Sequence, residues 1–64
     1  MPQSSVVVKL VGENGNVFNI IAIVSKGLER GGHKDLAKEF KERAFKSESY
    51  DAVLILLHEY VEVE

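Results

Sequence analysis

The chain has 64 residues, of which 45% are apolar, with no cysteine, no tryptophan and a formal net charge of -2. A length of 64 makes one domain, residues 1–64. Such a domain buries only ~60% of the surface its unfolded form exposes, so without disulfides or a metal-ligand cluster it must rest on packing or on a partner subunit. Apolar runs such as residues 20–24 are far below the ~18 residues a membrane span needs, and residues 1–5 are too short and polar for a signal peptide, so the expected setting is the cytoplasm.

Residues 6–11 begin the ordered part as a strand: Val6, Val8 and Leu10 alternate with Val7, Lys9 and Val11, a β-branched run apolar on both sides. Gly12 and Gly15 permit positive φ, and Asn14-Gly15 is a turn dipeptide, so the chain changes direction there. Two continuations compete. Asn16 caps a helix over 17–30, with Val17, Ile20, Ile21, Val24 and Leu28 as its apolar stripe, or residues 17–24 return as the second arm of a hairpin. The helix is preferred, because 25–30 prolong the stripe and Gly31-Gly32 stops it. Gly27 inside this helix points to close approach by another backbone, or else to early fraying.

A second helix is expected over 33–46, with Leu36, Ala37, Phe40 and Ala44 on one face and Glu39–Arg43 and Glu42–Lys46 as i,i+4 pairs. Ser49 then caps a third helix with Asp51 in its first turn, and Tyr50, Val53, Leu54 and Leu57 make its inner stripe. Ile55 and Leu56 widen that surface and place the helix centrally or at an interface. Residues 61–64 alternate with period two and suggest a short edge strand beside 6–11. The expected fold is therefore α+β, strand-helix-helix-helix-short strand, with the helices packed on one face of a minimal two-stranded sheet.

The segment 8–16, the apolar helix closing in Leu28-Glu29-Arg30-Gly31-Gly32, and Ser49-Tyr50-Asp51 before a helix ending in Tyr60-Val61-Glu62-Val63 together resemble a group of very small uncharacterised bacterial and phage proteins. The likeness spans about residues 7–63. It implies the same topology, including a helix after Gly-Asn, and carries no activity or catalytic residues. The chain departs from the group at Gly32-His33-Lys34, where an acidic, cap-like stretch is more usual.

Chemistry is sparse. Glu13-Asn14-Gly15-Asn16 lacks the glycines and lysine of a phosphate loop, and Glu13 would repel an anion, so a turn plus cap is the simpler reading. His33 and His58 lie 25 positions apart with no Cys, which does not make a zinc site, and Ser25, Ser47 and Ser49 stand in no nucleophile motif. No catalytic residue, metal or cofactor is expected. The expected role is a protein-interaction or accessory module, with Val6, Val8, Leu10, Phe18 and Phe45 as partner-facing positions.

A two-stranded sheet is marginal alone, and edge-to-edge homodimerisation through 6–11 would complete it. The runner-up role is nucleic-acid binding. Residues 26–46 carry seven Lys/Arg against four Asp/Glu, whereas 47–64 carry five acids and no Lys/Arg. Lys26, Arg30, Lys34 and Lys38 would form a ridge around the Gly31-Gly32 corner, which has the outline of a helix-turn-helix, although acids are interspersed on the same elements.

Overall fold

A computed structural model describes residues 3–10 and 16–64. In chain order its elements are strand β1 (Val7–Val8), helices α1 (Val17–Arg30), α2 (Lys34–Phe45) and α3 (Tyr50–Leu57), and strand β2 (Glu62–Val63). The fold is the expected α+β layout, and residues 17–24 belong to a helix and not to a hairpin. The turn expected at 12–15, the loop chemistry weighed there and Val11 lie outside the described residues.

Local chemistry accounts for the helix boundaries. The Asn16 side chain accepts the Phe18 N–H at 2.9 Å, and the Ser49 hydroxyl accepts the Ala52 N–H at 3.1 Å, so α1 and α3 both start on a side-chain cap. At the end of α1 the His33 N–H reaches the Leu28 carbonyl at 2.8 Å and the Gly32 N–H reaches that of Glu29 at 3.1 Å. This paired closure needs a left-handed residue, supplied by Gly32 at φ +84°. His33 makes no side-chain cap, so α2 starts with only Asp35 as acidic support in its first turn.

The sheet is parallel, with Val7 opposite Glu62 and Val8 opposite Val63. The Glu62 and Glu64 N–H groups donate to the Val6 and Val8 carbonyls at 2.9 and 2.8 Å. All three helices lie in the crossover between the strands, as a parallel pair requires. Both strands are shorter than the expected 6–11 and 61–64. The inner face of β1 is closed by α1: Val8 is buried, and Val6 and Leu10 pack against the core. Val8 therefore serves the chain's own interior, and Val6 and Leu10, partly buried against it, do so in part. Pleat alternation sends Val7 outward instead, at 51% exposure.

The core joins Ile20, Ile21, Val24 and Leu28 of α1, Ala37, Phe40 and Ala44 of α2, and Val53, Leu56 and Leu57 of α3 with Tyr60 and Val61. Of the expected α3 stripe, Val53 and Leu57 are buried and Leu54 is partly so, whereas Tyr50 lies at the surface. Its widening splits: Leu56 is buried and Ile55 is exposed. Helical phase explains this, because Ile55 lies about 100° from each chain neighbour and no described element covers that side.

Gly27 does mark a close approach, but to side chains and not to another backbone. A Cβ added there would sit 3.0 Å from Val8 Cγ1 and 3.4 Å from Val6 Cγ1. Gly27→Leu is expected to push β1 off α1 and lower stability by about 1–3 kcal/mol, read from the urea midpoint. Gly32→Ala meets no atom within 4 Å but keeps the left-handed backbone, for about 1 kcal/mol. Ser25 is buried in α1 and its Oγ has no hydrogen-bond partner. Ser25→Ala removes that orphaned hydroxyl and is expected to raise the thermal midpoint, with a gain of about 1 kcal/mol.

Candidate functional site

Phe18, in the first turn of α1, and Phe45, the last residue of α2, meet at the surface with ring centroids 6.2 Å apart and planes at 38°. They remain 64% and 61% exposed. Both lie off the buried stripes of their helices, which is why the sequence alone marks them as outward-facing. Their meeting is not visible in local spacing, because it depends on how α1 and α2 cross. Beside them runs an open groove of about 410 Å³. Val17 and Ile21, Ala44 and Val53 form its apolar walls, and Tyr50 with Glu48 stands at the margin of α3. Tyr50 is the residue of this surface that the sequence reading assigned to the interior.

A second cluster is polar. Tyr60 is fully buried as a residue and packs edge-on against Phe40, centroids 5.6 Å apart at 68°. Its hydroxyl donates to Glu39 Oε2 at 2.5 Å and accepts from Arg43 Nη1 at 3.0 Å. Arg43 also pairs with Glu59 at 3.2 Å, and its guanidinium carbon lies 5.8 Å from the Tyr60 ring centre. Glu39 and Arg43 thus do not form the ion pair their i,i+4 spacing suggests, since both turn to Tyr60. The sequence reading did not place Tyr60 in the core, although its spacing carried the signal. It stands seven positions after Val53 and three after Leu57, so it continues the α3 stripe past the helix end.

Burial raises the Tyr60 phenol above its ordinary 10.0, and the bond to the Glu39 carboxylate adds to that, while Arg43 opposes it. The Arg43 guanidinium is in turn held in its charged form by the Tyr60 hydroxyl and then by Glu59. The cluster is a structural latch between α2 and the approach to β2. Its members are bonded chiefly to one another.

The four basic residues of the expected ridge are all exposed, two on α1 and two on α2. Lys26 and Arg30 flank a depression of about 320 Å³ together with Lys9, Val7, Val8 and Ile23. Lys34 and Lys38 are exposed on α2 and do not line it. Lys41 is engaged with Glu29 across the α1–α2 contact at 3.9 Å. His33 and His58 sit on separate elements, and the described residues contain no group of three or more His, Cys, Asp or Glu arranged to hold a metal. None of the described helices is long and apolar enough to cross a membrane.

No protein family, curated protein or solved structure matches this chain.

Tyr60→Phe keeps the ring and deletes both hydroxyl bonds, an expected loss of about 1 kcal/mol near neutral pH. Because the folded-state pKa is raised, the wild-type advantage should be complete below pH 10.0 and vanish as pH rises through the higher folded value. Denaturant midpoints of the two proteins should therefore converge above pH 10.0, and parallel profiles would disconnect the phenol from folding.

Proposed function

We propose that this chain is a small cytoplasmic protein-interaction module without catalytic activity of its own, and that the Phe18–Phe45 platform is the surface it presents to a protein partner. The observation that carries this reading is a pair of phenylalanines, donated by two helices, that contact each other while remaining 64% and 61% exposed. Each ring leaves apolar area in water that burial would stabilise by about 25 cal/mol per Å². Aromatic side chains beside a preformed apolar groove are the usual anchors of protein interfaces. The adjoining volume of about 410 Å³ suits a bulky apolar side chain of the partner.

Nucleic-acid binding has less support. Phosphate affinity grows with the number of cations brought to one backbone track, and only Lys26 and Arg30 of the four expected residues share a depression. An enzymatic role would call for convergent polar groups in a concavity, whereas the groove beside Phe18 and Phe45 has mostly apolar walls, with Ser47, Glu48 and Ser49 at one end.

The double variant Phe18→Gln/Phe45→Gln separates binding from folding. Both positions are exposed, so stability should stay within about 0.5 kcal/mol of wild type and the helical circular dichroism should be unchanged. A partner captured on the wild-type chain, purified and titrated calorimetrically, should bind the variant at least about tenfold more weakly, a loss of ~1.4 kcal/mol. Equal affinity for both proteins would remove the platform as the binding surface.

A further inference from the structure

Among the described residues, β1 is hydrogen-bonded along one edge only. The Val6 and Val8 carbonyls face β2, and since successive residues of a strand direct their amide groups to opposite sides, the Val7 N–H and carbonyl point the other way. Among the described residues the sheet has the order β1-β2, so no strand joins that second edge. The edge opens onto the depression that Lys9, Lys26 and Arg30 surround. All three cations are exposed, and none is in an ion pair among the described residues.

The opposite edge of the sheet has the complementary character. β2 and the residue after it carry Glu62 and Glu64, both exposed, in a segment, 47–64, that holds five acids and no Lys/Arg. An open strand edge is a template for pairing, and its charges select what pairs. Joining β1 to β1 of another copy would bring Lys9, Lys26 and Arg30 against themselves, and joining β2 to β2 would oppose the two glutamates. Like charges set opposite one another destabilise a strand pair, whereas unlike charges support it.

We propose that the open edge of β1 receives the β2 edge of a second copy of this chain, so that the sheet continues from molecule to molecule in a head-to-tail assembly. The contact is heterologous, so it propagates into oligomers unless the rotation closes a ring. Lys9 then stands across from the incoming Glu62 and Glu64, with Lys26 and Arg30 beside the same strand. Val7 and Val63, 51% and 39% exposed, gain cover at the joint. This surface shares no lining residue with the groove at Phe18 and Phe45, and the two readings stand or fall separately.

Sedimentation velocity and light scattering from low micromolar to near-millimolar protein, at low and high salt, test the assembly. The wild type should grow beyond a dimer as concentration rises, and less so at high salt. Lys26→Glu/Arg30→Glu and Glu62→Lys/Glu64→Lys alter exposed positions only, and each alone should lose association with unchanged circular dichroism. Their equimolar mixture should associate again into species containing both.

Three results would overturn the proposal. They are a wild type monomeric throughout, a Glu62→Lys/Glu64→Lys protein that associates as well as wild type, as β1-to-β1 pairing requires, or a basic edge that binds an oligonucleotide with steep salt dependence and no self-association.

Discussion

The burial of Tyr60 is the constraint on which the remainder of this small fold depends. Its ring fills the space beside Phe40, and its hydroxyl is fixed by Glu39 and Arg43 of α2. The backbone around it is used as fully as the side chain. The Tyr60 carbonyl accepts the Ser4 hydroxyl at 2.6 Å, and the Glu59 carbonyl accepts the Gln3 N–H at 2.8 Å. Val61, also buried, then delivers the chain to β2. One residue thereby ties the second helix, the last turn and both sides of the sheet. A chain without disulfides, and with a core of only this size, concentrates much of its cohesion there.

Helix positions were legible because their determinants are local. Asn16 and Ser49 cap with side-chain oxygens a few residues from the N–H groups they satisfy, and Gly32 supplies the one left-handed turn that α1 needs to stop. The spacing of Ile20, Ile21, Val24 and Leu28 states which side of α1 is inward. The strands were less legible. Residues 6–11 are apolar on both faces apart from Lys9, so a single charge is all that alternation offers to tell the even from the odd positions. That choice is made by Gly27, whose missing side chain admits Val6 and Val8.

The site features fell on the far side of the same divide. Phe18 and Phe45 could be recognised singly as misfits on their helices, but their contact is a property of the α1–α2 crossing. Arg43 had a nearer acid in sequence at Glu39 and took Glu59 and Tyr60 instead, because the turn after α3 brings them to it. The basic residues read as one ridge along the chain; they stand on two helices, and Lys26 and Arg30 of α1 share a depression with Lys9 of the strand region. In each case the sequence names the chemical group, and a neighbour distant in sequence decides its use.

The pairing of the first strand with the last also sets the order in which the molecule assembles. Contacts such as Ser4 with Tyr60 span 56 positions, whereas helix capping and the α1–α2 packing close over short loops. Bringing distant segments together carries the larger loop-closure entropy, so the helical layer is expected to condense first and the ribbon pair to zip onto it late. Interactions that form after the rate-limiting barrier act chiefly on how fast the native state opens. The parallel ribbon is thus a fastener: it contributes little to the speed at which this chain finds its shape and much to how long it keeps it.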